Sequence, residues 1–167
     1  MNPFNQAEFE RAQRNIDLGI PASVTLSPIS RRAVGQILDQ LVVLLPIAVV
    51  AVSLGVRNAD DLKSSGFTIN VAAVSMAFVY ETVMVAVWGR TLGKFAMRTR
   101  VVRLDTAGPV LWSSSAARAL VPLAAGVIPG VGFVLSVVVY ATAMIDKRQQ
   151  GWHDKAAGTI VVLNQSA

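Results

Sequence analysis

The chain has no cysteine and a single histidine, His153. Those two absences exclude disulfides, thiolate metal sites and thiol nucleophiles, and they make a zinc centre implausible. Charge is also scarce, at 15% of residues, against 53% hydrophobic residues and a mean hydropathy of +0.53. A soluble domain usually carries more charge and less apolar surface. No recognisable catalytic set remains, and no enzymatic activity is expected. Cofactors are not expected either. "GRTLGK" has a faint look of a phosphate loop, but its two glycines stand too close and Phe95 occupies the place of the required Ser or Thr.

What the sequence does have is apolar residues in long blocks, the signature of a bilayer solvent. Residues 33–56 and 67–88 are each long enough to span the hydrocarbon core, with "RNADDLKSSG" as a polar loop between them. Trp88 is placed for an interfacial anchor. A third block, 119–145, is interrupted by "GVIPGVG" at 126–132. As one straight helix it would put the C-terminus on the far side. A broken, re-entrant or hairpin-like segment would return it, which suits the cations Lys147, Arg148 and Lys155 that follow. The second reading is favoured. Residues 1–30 form an N-terminal surface segment with a short helix over 3–18, and they lack the apolar core of a signal peptide.

Charge position sets orientation. Between Gly89 and Arg118 stand Arg90, Lys94, Arg98, Arg100, Arg103 and Arg118, with Asp105 the sole anion, so this stretch alone equals the formal net charge of +5. By the positive-inside tendency it is cytoplasmic. Two crossings earlier, Arg31 and Arg32 are then cytoplasmic too, with the N-terminus. The expected location is the cytoplasmic membrane, with anionic lipid headgroups as partners and no nucleic acid. Within the basic stretch, "TRVVRLDTAGPVLW" predicts a strand–turn–strand over 98–112, and "GTIVVL" a further strand over 158–163. The expected class is mainly α: a polytopic membrane protein with two full spans, a broken or third membrane segment and a small cytoplasmic β-element.

Two acids lie inside the spans. Asp39 is seven residues past Arg32 and Glu81 seven before Trp88, so each is expected roughly 10 Å deep. The helices run antiparallel, which places the two acids and the glutamines Gln36 and Gln40 in one layer. A charge at the bilayer centre costs at least about 2.5 kcal/mol, so such residues turn inward and find partners. Arg32, Lys94 and Arg118 are the candidate partners. An acid pair that binds a proton or a monovalent cation is one reading. A buried polar network that fixes helix packing is the other.

These blocks resemble the RDD family of small membrane proteins, named for one arginine and two aspartates. Arg32 and Asp39 match the first two letters, and Asp146 in "MIDKRQQGWHDKAAGTIVV" matches the third. His153, Asp154, Gly158 and Thr159 follow the family's closing pattern. "GRTLGKFAMRTRVV" resembles its central GxTxGK block, with Gly89, Gly93 and Lys94, and Glu81 precedes it where an acid is common. Arg98 departs from the pattern, standing where the family usually has glycine. The resemblance implies proton-coupled monovalent-cation antiport, attributed to some members, with Arg32, Asp39 and Asp146 as functional residues. On that reading Asp39 binds the ion or proton with Glu81 assisting, Arg32 sets their protonation, and Asp146 anchors the returning segment near Arg118. A chain this small would need a homo-oligomer to build a path. The alternative is a non-catalytic accessory or assembly subunit of a larger membrane complex.

Overall fold

The structure, a computed structural model, describes residues 3–53, 55–126 and 131–164. Helix α1 spans Pro3–Asp17 and stops at Gly19, whose φ is +65°. Helix α2 spans Ile29–Ser53, and α3 spans Ala59–Trp88. The polar loop expected at 57–66 is therefore mostly helix. Asn58 caps it, its side-chain oxygen accepting from the backbone N–H groups of Asp60 and Asp61. Two carboxylates in the first turn then favour the positive end of the helix dipole. The apolar part of α3, Gly66–Trp88, and the whole of α2 are long and apolar enough to cross a membrane. Few of their residues are buried within the protein, 17% of the most apolar window in α2 and 6% in α3. Leu45, Val49, Val52 and Val79 all point outward, which water would penalise and lipid would not.

Gly89 ends α3 in the left-handed region, at φ +69°. A Cβ there would stand 2.8 Å from Arg100 Nε and 3.2 Å from Val101 O. This position needs glycine twice, for its conformation and for its close approach. The short helix α4, Leu92–Ala96, leads into strand β1, Thr99–Arg103. Helix α5 is Trp112–Gly126, α6 is Gly132–Ala141 with a 3₁₀ turn over Thr142–Met144, α7 is Trp152–Ala157, and β2 is Thr159–Leu163.

The strand expected over 109–112 does not form. The turn does, with Ala107 N–H donating to Arg103 O and Arg103 N–H to Gly108 O. Pro109 then follows, without an N–H to give a ladder, and Trp112 already opens α5. The partner of β1 is β2, antiparallel, with Val101 opposite Val161. The other edge of β2 is met by the N-terminal segment. Leu26 bridges Val162, Ser27 N–H donates to Val161 O, and Leu163 N–H donates to Thr25 O. Residues 18–27 thus pack onto the sheet. Alternation along the strands separates two cores. Val101 and Val161 face the helices with Val85 and Val110. Val102, Ile160 and Val162 face Ile20, Val24 and Leu26.

The third apolar block folds back on itself. Pro129 and Gly130, part of the break, lie outside the described residues. On either side, α6 runs along α5: Ser136 Oγ donates to Pro122 O at 2.8 Å, and a Cβ on Gly132 would collide with Gly126 O. Residues 119–145 are therefore not one straight helix. Trp88, Trp112 and Trp152, each more than half exposed, mark the end of α3, the start of α5 and the start of α7. Trp152 stands beside the end of α6, its N–H donating to Thr142 Oγ1. These ends all lie next to the sheet.

Candidate functional site: a layer of buried ion pairs under the sheet

Asp39 is 5% exposed and faces the N-terminus of α4. Its Oδ1 accepts from Tyr80 Oη and from Gly93 N–H, each at 2.8 Å. Its Oδ2 accepts from Thr91 Oγ1 and lies 3.5 Å from Lys94 Nζ. Lys94 also reaches Thr91 Oγ1 at 3.2 Å, and Leu92 N–H donates to Tyr80 Oη. A short helix normally caps itself. Here Asp39 of α2 and Tyr80 of α3 take the first free N–H groups of α4 instead. The contact requires close approach, since a Cβ on Gly93 would collide with Gly35 O and stand 2.9 Å from Asp39 Cγ. The central block thereby gains a physical meaning: Thr91, Gly93 and Lys94 are the three residues that hold the carboxylate.

A second cluster surrounds Arg118, which is buried on α5. Its Nη1 donates to Asp154 Oδ1 and lies 3.3 Å from Thr159 Oγ1. Its Nε is 3.4 Å from Glu81 Oε1, an ion pair without hydrogen-bond alignment. Asp154 also accepts from Gly151 N–H at 3.2 Å, which starts α7, and Gly158 ends that helix in the left-handed region. His153 is buried against the Tyr140 ring, with centroids 4.5 Å apart. Burial, together with the nearby Arg118, pushes its pKa well below the ordinary histidine value.

Two expected pairings do not occur. Arg32 does not turn to Asp39. It donates to three main-chain carbonyls: Nε to Ser27 O at 3.1 Å, Nη2 to Val161 O at 2.8 Å, and Nη1 to Gln149 O. It clasps the start of α2 to β2 and to the turn after α6. Asp146 does not reach Arg118. It caps that turn, accepting from Arg148 and Gln150 N–H at 3.0 Å, and pairs with Lys155 at 2.7 Å. Asp154 takes the Arg118 role instead. Arg32 and Asp146 thus meet through one loop, Asp146 shaping the turn whose carbonyl Arg32 binds. Tyr80 and Thr91 escaped sequence reasoning. A hydroxyl next to an intramembrane acid, and a threonine just before a short helix, were the available signals.

The two clusters flank two cavities. A small one, about 30 Å³, is bordered by Gln36, Asp39, Gln40, Tyr80, Glu81 and Thr91. It has room for about one water-sized particle. The other, about 240 Å³, lies between α2 and α6 and is bordered by Arg32, Lys94 and Arg118. Gln36 borders both.

Two apolar helices over a polar, charge-paired layer, closed on one side by a two-stranded sheet, make this an integral membrane protein with an ionisable interior. The sequence profile of the RDD family matches residues 26–158, so the chain belongs to the RDD family. No curated protein and no solved structure matches it.

Proposed function

We propose that the protein exchanges protons for monovalent cations across the cytoplasmic membrane, as a homo-oligomer, with Glu81 as the exchanging group. The observation that carries this reading is the small cavity between the two long apolar helices, bordered by two carboxylates and two carboxamides. Oxygen donors around a space of one water suit a small hard cation. Glu81 is the mobile member because its only described cation, Arg118, is held off axis. Asp39 is a fixed wall, because its oxygens already receive donors from α3 and α4. When Glu81 takes a cation or a proton, Arg118 keeps Asp154, so no buried charge is stranded. One copy offers two spans with largely outward apolar faces, and the path forms between copies. The basic stretch and the exposed tryptophans support placement of the sheet and the N-terminus at the cytoplasmic interface.

The test is a pH gradient in vesicles of purified protein. Sodium or potassium should collapse it with wild type and not with Glu81→Gln; Asp39→Asn should also lose flux, through loss of its wall. If wild type shows no cation-dependent collapse, or either variant matches it, the exchange reading is wrong.

A second reading has its own observation. Asp39 and Glu81 each already face a cation of the same chain, as a purely architectural network would. An accessory or assembly subunit predicts a stoichiometric partner on gentle detergent extraction and no flux alone.

A further inference from the structure

Charges in the buried layer are sorted by side. Asp39 and Glu81 border the small cavity, while Arg32, Lys94 and Arg118 border the larger one. Among the described residues, Asp154 is the only carboxylate on the larger cavity's wall. Lys94 and Arg118 have carboxylates behind them. Arg32 has none within ion-pair distance among the described residues, and its three carbonyl acceptors do not cancel its charge. The mouth is different in kind. Ala33 of α2, Val137 and Ala141 of α6, and Met144 beyond it border the cavity, and all are exposed. They belong to faces that the bilayer would wet.

We propose that this cavity binds the headgroup of an anionic phospholipid from the leaflet next to the sheet, with the acyl chains lying outside along α2 and α6. The Arg32 guanidinium, without a carboxylate, behind an exposed apolar mouth selects a molecule that is both negative and amphiphilic. A free anion in water would meet the apolar rim first. At about 240 Å³ the space is smaller than the roughly 300–1,000 Å³ of pockets that enclose a whole small molecule, so it fits a headgroup and not a lipid. Basic pockets between membrane helices take anionic headgroups elsewhere by the same logic. The site does not depend on transport, and its test reads binding alone.

The experiment uses full-length purified protein in a neutral detergent. Phosphatidylglycerol, phosphatidylcholine or inorganic phosphate is added at matched concentration, and bound lipid is counted by native mass spectrometry beside the thermal unfolding midpoint. Phosphatidylglycerol should be retained at about one per chain and preferred over phosphatidylcholine by about fivefold or more. Ala33→Trp and Ala141→Trp, which fill the mouth from opposite sides, should remove that preference while the midpoint in phosphatidylcholine stays put. Val79→Trp, on an exposed face of α3, should keep it. Equal binding of the two lipids would overturn the proposal. So would the same stabilisation from inorganic phosphate, or an undiminished preference in both mouth variants.

Discussion

Asp39 and Glu81 stand on the two long apolar helices, and the protein treats them differently. Asp39 accepts from a phenol, a hydroxyl and a backbone N–H and faces an ammonium group. Glu81 has one described ion pair, 3.4 Å long and off axis. Several donors to one carboxylate hold it in place. A carboxylate so surrounded works as a rivet, joining α2 to α3 and α4. One with a single loose partner can exchange it. Both acids lie within the long apolar helices; donor number is what separates them.

Several substitutions test that contrast. Arg118→Leu strands two buried carboxylates, Asp154 and Glu81, and should cost about 3–5 kcal/mol, read as the fall in the unfolding midpoint in mild detergent. A small loss would mean that the second cluster is not a unit. Asp39→Asn turns an amide toward Thr91 or Lys94 and should cost at least about 2 kcal/mol. Glu81→Gln should cost less than about 1 kcal/mol, in keeping with a bond that is barely made. Equal costs would erase the distinction between the two acids. Arg98 has φ +53°, a region disfavoured for side chains with a Cβ. Arg98→Gly should therefore stabilise by about 0.5–1 kcal/mol, and a loss of stability would show that the side chain compensates for its backbone.

The gentlest test is pH. Burial, then Arg118, lowers the folded-state pKa of His153 below its unfolded value. Protons then bind the unfolded state more readily than the folded one. The contribution is complete above about pH 6.5 and declines as the pH falls below it. His153→Gln should flatten that part of the stability–pH curve; an unchanged slope would place the dependence elsewhere.

Much of the frame could be read from the sequence because it rests on local signals. Long apolar runs mark α2 and α3, and a proline among glycines marks the fold-back between α5 and α6. The β-element was half right. "TRVVRLDTAGPVLW" alternates like a hairpin, but Pro109 cannot donate, and the true partner lies near residue 161, joined by Leu26. Such non-local pairing leaves no mark in a short window. The site divides the same way. The shared cavity of Asp39 and Glu81 with Gln36 and Gln40 follows from antiparallel helices. Arg32 shares a helical face with Asp39, yet its side chain turns to the carbonyls of Ser27, Gln149 and Val161, while Thr91, Gly93 and Lys94 take the acid. The choice of Asp154 over Asp146 for Arg118 depends on where α7 docks on α5, which no spacing encodes.

The clasp made by Arg32 has a consequence for biogenesis. Its acceptor on β2, Val161 O, lies 129 residues further along the chain, so at about 5–20 residues per second roughly 6–26 s of synthesis pass between them. During that interval the Arg32 guanidinium lacks this acceptor, and Arg118 lacks Asp154 until α7 is made. A chain interrupted before α7 would keep both long apolar helices yet leave its charge clusters unpaired, a feature by which quality-control proteases could distinguish it from the folded protein.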